Sequence, residues 1–129
     1  EIGDSCYAHC STFEITDMTE LESVHIGSKS FTLSRDEENS DVRSNRICRI
    51  SNCPKLKSIS FGDYSFSDYA TFELNNLPSL ESITMGWWCF CFARSLNLKS
   101  ENHSICFILR SSFSYTSSFS FLFLPFCHL

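Results

Sequence analysis

Leu80-Glu81-Ser82-Ile83-Thr84-Met85-Gly86 has two earlier copies in the chain, Leu21-Glu22-Ser23-Val24-His25-Ile26-Gly27 and Leu56-Lys57-Ser58-Ile59-Ser60-Phe61-Gly62. The chain opens inside another, Glu1-Ile2-Gly3. Every glycine of the sequence closes one such segment: Gly3, Gly27, Gly62 and Gly86 are separated by 24, 35 and 24 residues. A fixed period in this range is the mark of a stacked repeat array, in which each unit covers the apolar face of the next.

Working outward from the glycine, the second half of the unit repeats as well. Phe13, Phe72 and Leu96 hold one column, Ile15, Leu74 and Leu98 the next, and Asp17-Met18 and Asn76-Leu77 follow. The unit that starts at Leu21 obeys the rule once 11 residues are removed, giving Cys48, Ile50 and Asn52-Cys53 as its counterparts. The excess falls in 35–46, a stretch of charged residues and asparagines with Val42 as its one aliphatic side chain. Such a stretch cannot bury itself, and it is expected to loop out from one face.

Within each unit the apolar residues occupy positions 1, 4 and 6, with polar residues at 2, 3 and 5. Positions 4 and 6 share one face of a strand and 5 takes the other. Phe72-Glu73-Leu74-Asn75 alternates in the same way. Asn76-Leu77-Pro78-Ser79 and Asn52-Cys53-Pro54-Lys55 are turn sequences, because proline fixes φ and lacks a donor. The spacing predicts a mainly β chain of about four 24-residue units with two short parallel sheets. One sheet takes 21–26, 56–61 and 80–85, the other 13–16, 48–51 and 72–75. The glycine column predicts a bend that needs either positive φ or close approach of stacked backbones.

Leu-x-x-Ile-x-apolar with an aromatic at position 11 (Phe31, Phe66, Phe90) resembles a leucine-rich repeat. Ile-Gly-x-x-(Ser/Cys)-(Phe/Tyr) resembles the Ile-Gly-x-x-Ala-Phe core of BspA-like, Treponema-type repeats. Cys10 matches that family's following cysteine, whereas Tyr69 and Ala93 depart from it. The Asn76–Ile83 junction resembles large repeat proteins of unicellular eukaryotes. The resemblance covers residues 1–98 and implies a right-handed leucine-rich-repeat-like solenoid that binds protein and is not an enzyme. Lys29, Tyr64 and Trp88 stand at position 9, where the usual leucine-rich repeat has asparagine.

The register is lost after Leu98, where Ser104 takes the place due to leucine. Ser111–Leu129 has no Asp, Glu, Lys or Arg, with seven Ser or Thr and five Phe. Its serines and Pro125 argue against a membrane-spanning helix, which needs about 20 apolar residues. Residues 99–129 are therefore expected to form a divergent tail and not a further unit. That would leave Ile83, Met85 and Phe90 partly open at the end of the array, free to self-associate. With Glu1 already inside a unit, the chain reads as a piece of a longer array.

A net charge of −5 and scattered basic residues point away from nucleic acid. Cys6 and Cys89 share a column with Ser30 and Ser65, Cys53 shares one with Met18 and Leu77, and Cys48 one with Phe13 and Phe72. These are packing positions, so the cysteines read as buried thiols rather than disulfide or zinc partners. Thiol-rich packing leans intracellular, while the resembled family is often at the cell surface, so the compartment stays open. No nucleophile–base set, phosphate loop or carboxylate pair recurs at a telling spacing, so neither an enzyme nor a cofactor is expected.

Positions 2, 3 and 5 of stacked units make a continuous polar surface of the kind that repeat arrays use for protein partners. The candidate contact residues are Glu22, His25, Lys57, Ser60, Glu81 and Thr84, with Tyr64, Trp87 and Trp88 as rim aromatics suited to hot spots. The competing reading is structural: a spacer, a surface-coat segment, or a truncated gene remnant.

Overall fold

A computed structural model describes residues 1–33, 45–99, 105–109 and 118–122. It is mainly β, with no helix among the described residues. The strands are β1 (Thr12–Thr16), β2 (Ser23–Ile26), β3 (Ile47–Ser51), β4 (Ser58–Phe61), β5 (Thr71–Asn75), β6 (Ser82–Met85), β7 (Ser95–Lys99), β8 (Cys106–Leu109) and β9 (Ser118–Leu122). Odd strands form one parallel sheet in the order β1-β3-β5-β7-β9, and even strands form another in the order β2-β4-β6-β8. The chain thus visits the two sheets alternately, and each repeat of the sequence lays one strand on each.

Register follows the sequence columns. Val24 sits against Ile59 and Ile59 against Ile83 in one sheet, and Phe13, Cys48, Phe72 and Leu96 line up in the other. The expected inward residues Val24, Ile26, Leu56, Ile59, Phe61, Leu80, Ile83 and Met85 are buried, while Leu21 is half-buried against the same core. Between the sheets runs a column of rings. Tyr7, Phe31, Phe66 and Phe90 stack with centroids 5.3, 4.6 and 5.1 Å apart and planes within 17° of parallel. Each large apolar side chain taken fully from water contributes about 1.5–3 kcal/mol.

The glycines do not supply positive φ; none of the four has it. A Cβ on Gly62 would lie 2.5 Å from Ser28 N and 2.7 Å from Gly27 C, so the second alternative holds there: stacked backbones approach too closely for a side chain. The left-handed residues lie two and four positions further on. Ser5, Lys29, Tyr64 and Trp88 form one such column, and Tyr7, Phe31, Phe66 and Phe90 form the other. Asp17, Asn52 and Asn76 form a third, of residue types that tolerate this region well.

Two ladders hold these turns. Ser30 Oγ donates to Gly3 O at 2.8 Å, Ser65 Oγ to Gly27 O at 2.6 Å and Cys89 Sγ to Gly62 O at 2.9 Å. Asparagine stacking, absent from position 9, occurs instead at the turn after the second strand, where Asn76 Nδ2 donates to Asn52 Oδ1 at 2.9 Å.

Two expectations need correction. The first concerns the tail. β8 pairs with β6 from Ser82↔Cys106 to Met85↔Leu109, and β9 pairs with β7 from Ser95↔Ser118 to Lys99↔Leu122. Both sheets therefore continue past residue 98. Parallel pairing needs main-chain groups and an apolar alternation, and buried Ile105 and Phe107 serve here without a leucine at 104. Ile83, Met85 and Phe90 are consequently fully buried, not partly open.

The second concerns Arg46, placed by the sequence in the looped stretch 35–46; residues 35–44 of that stretch lie outside those described. Arg46 is buried. Its Nη2 donates to Ala8 O at 2.7 Å, Cys10 O at 2.8 Å and Phe31 O at 3.1 Å, and its guanidinium carbon lies 4.6 Å from the centre of the Tyr69 ring. Tyr69 Oη also donates to Cys10 O, at 2.6 Å. Together they satisfy the carbonyls of Ala8 and Cys10 in the first turn and that of Phe31 one repeat on.

Candidate functional surface

The candidate residues come from three columns and a turn. Lys57 N donates to Glu22 O and Glu81 N to Lys57 O, each at 2.8 Å, so Glu22, Lys57 and Glu81 form one exposed row of alternating charge. His25, Ser60 and Thr84 are direct register partners on β2, β4 and β6, and Ile108 of β8 extends the row. Because Val24 and Ile26 turn inward, His25 between them must turn outward, and the same alternation places Ser60 and Thr84. Ser23, Ser58 and Ser82 make the row between, with small side chains that leave the sheet surface shallow.

The aromatics lie on the turns that leave this sheet. Tyr64, Trp87 and Trp88 are 44%, 46% and 43% exposed. Tyr64 N donates to Trp87 O at 2.7 Å, which binds the two turns together. Asp63 Oδ1 accepts from Trp87 N at 2.9 Å, as Asp4 Oδ1 accepts from Ser28 N at 2.7 Å one repeat earlier. Tyr64 and Trp88 are exposed, while Phe66 and Phe90, two residues on and equally left-handed, are buried in the core. The structure brings all nine candidate residues to the β2-β4-β6 side or its turns.

Sequence reasoning passed over Phe92, which is 41% exposed and occupies the column of buried Asp68. An aromatic in a column otherwise held by His9, Leu33 and Asp68 was the available signal.

The opposite sheet presents different chemistry. Arg49 Nε meets Glu73 Oε2 at 2.8 Å and its Nη1 lies 3.7 Å from Glu14 Oε1. Hydrogen bonding to Glu73 raises the Arg49 pKa further above its already high value. A cavity of about 210 Å³ next to this row is lined by Glu73, Leu74, Asn75, Asn97 and Lys99.

Cys6, Cys10, Cys48, Cys53 and Cys89 are free thiols. Burial pushes the Cys48 thiol well up and that of Cys89 to about 12, so neither is a nucleophile near neutrality. No group of His, Cys, Asp or Glu that could hold a metal occurs among the described residues, and no helix long and apolar enough to cross a membrane occurs among them. No protein-family model, curated protein or solved structure matches this chain.

Proposed function

We propose that the chain is a non-enzymatic, protein-binding scaffold, a piece of a larger leucine-rich-repeat-like protein of the BspA-like kind, wound as a right-handed solenoid. The winding is supported by the parallel order of both sheets, since connections between parallel strands are right-handed in nearly all proteins. The observation that carries the function is the union of two in-register polar rows with exposed aromatics beside them. Glu22, Lys57 and Glu81 supply alternating charge, His25, Ser60 and Thr84 supply donors and acceptors, and Tyr64, Trp87 and Trp88 supply the large contact area typical of hot spots. Strand spacing of about 4.8 Å fixes the rows, so a partner meets a rigid, repeating pattern.

Photo-crosslinking side chains introduced separately at positions 60, 64 and 88 test this reading in extract of the source cells. All three should capture one and the same protein, and a crosslinker at position 97 on the opposite sheet should not. Purified, that protein should bind the chain and lose at least tenfold in affinity with Trp88→Ala, about 1.4 kcal/mol. Three unrelated captures, or equal capture at position 97, would refute it.

A further inference from the structure

Of the three columns with left-handed φ, two have an evident reason for their residues. Asp17, Asn52 and Asn76 are of the types that enter this region at little cost, and Phe31, Phe66 and Phe90 are buried rings of the core. In the third column Lys29, Tyr64 and Trp88 have φ of 57°, 61° and 59°, and their side chains are exposed. A bulky residue held there carries backbone strain that asparagine or glycine would relieve, and an exposed side chain returns no core packing for it. Strain of this kind collects where a chain holds a ligand.

The three residues stand in line. Lys29 N donates to Asp63 O and Tyr64 N to Trp87 O, each at 2.7 Å, so successive turns stack one strand spacing apart, about 4.8 Å. Lys29 and Trp88 are two spacings apart, about 9.6 Å. A polyproline II helix rises about 3.1 Å per residue with three residues per turn, so residues i and i+3 face one side about 9.3 Å apart. An extended β-segment repeats its face every two residues, about 6.7 Å, which matches neither one spacing nor two. The ridge is therefore ruled for a polyproline II segment.

Charge adds a second requirement. No ion pair among the described residues reaches Lys29. The nearby acids are turned to main-chain donors: Asp63 Oδ1 accepts from Trp87 N and Asp4 Oδ1 from Ser28 N. The lysine ammonium is left without a counter-charge, and its complement is an anion.

We infer that the ridge of Lys29, Tyr64 and Trp88 binds a proline-rich segment of the partner protein in the polyproline II form, with an acidic residue on Lys29 and a proline three residues away on Trp88. Tyr64 meets the prolines between. Such a segment is preformed, so ordering it costs little, and its rings suit an aromatic surface. The inference rests on the protein-binding reading and names the chemistry of its partner.

Capped peptides Pro-Pro-Pro-Glu-Pro-Pro-Pro and Pro-Pro-Pro-Lys-Pro-Pro-Pro, titrated into the full chain by calorimetry, test it. The glutamate peptide should bind about threefold more tightly than the lysine peptide, the scale of an exposed ion pair. Lys29→Glu should reverse that preference. Tyr64→Asn and Trp88→Asn should each weaken the glutamate peptide at least tenfold, and each should raise the thermal midpoint by about 2 °C as the backbone strain is relieved. Equal binding of the two peptides, an unreversed preference in Lys29→Glu, or a lowered midpoint in both asparagine variants would overturn the inference. Tighter binding of an oligogalacturonate than of the glutamate peptide would overturn it too, by assigning the ridge to an acidic glycan. If crosslinkers at positions 64 and 88 capture one protein while neither peptide binds, the protein-binding reading stands and this one falls.

Discussion

Gly62 and Gly3 stand in one sequence column but face different surroundings. A Cβ at Gly62 would press on Ser28 N and Gly27 C, main-chain atoms that cannot swing aside, whereas nothing lies within 4 Å of a Cβ built on Gly3. Gly62→Ala should therefore cost about 2 kcal/mol or more, on the scale of overpacked cores, and Gly3→Ala should leave the thermal midpoint unchanged. Equal midpoints for both variants would mean that the stack relaxes freely. The neighbouring Ser/Cys column gives a second contrast. Cys89→Ser keeps a donor for Gly62 O and should be nearly neutral, while Cys89→Ala strands that carbonyl and should cost about 1–2 kcal/mol in chemical denaturation. At this scale the sequence revealed which positions matter but not always why. The glycine column was visible. That its role is close approach, with left-handed φ falling on Lys29, Tyr64 and Trp88, depends on how one unit sits on the next, and no local pattern encodes that.

The elements are held in line by the ring column, and Phe66 is its centre. Its ring stacks on Phe31 and Phe90 and meets Phe13, Phe61 and Tyr69 edge-on. Phe66→Ala should cost about 3–5 kcal/mol, read as a fall in the urea midpoint, because no side chain can collapse into a gap bounded by two fixed strands. A loss under about 1 kcal/mol would show that the rings are not a packed spine. Strands β1 to β6 were legible because apolar alternation coincides with the period, and Pro54 and Pro78 mark two of the turns. β8 and β9 were not. Ser104 replaces the leucine that opens each earlier unit, and the spacing from β7 to β9 shrinks to 23 residues where earlier offsets are 24 or 35. Strand addition tolerates both changes, since its main-chain bonds do not read side chains and Ile105 fills the core from the adjoining position. Arg46 was misread for a related reason. Its charge marked it as loop, yet its guanidinium supplies donors to the carbonyls of Ala8, Cys10 and Phe31.

For the molecule as a whole, the candidate surface was legible as columns, because an outward residue on one strand implies outward residues a period away. What the surface binds is not encoded in columns at all, since rows of serine, threonine and charge serve any array. The buried interior makes a firmer statement about solution behaviour. Cys48, Cys89 and Tyr69 lie where burial disfavours their ionised forms: Cys48 is raised well above its usual 9.0, Cys89 from 9.0 to about 12, and Tyr69 from 10.0 to about 12. Below pH 9 all three are protonated in both folded and unfolded chains, and they leave stability independent of pH. Above it the unfolded chain releases protons that the folded chain keeps, so the unfolded state gains free energy and the fold weakens. Each group contributes a loss of about 1.4 kcal/mol per pH unit between its unfolded and folded values. The thermal midpoint should therefore stay level from neutrality to pH 9 and fall steadily toward pH 12, with Cys89→Ser flattening part of that fall. A midpoint as high at pH 10.5 as at pH 8 would show that these groups ionise in place without cost, and that the interior between the two sheets is open to water.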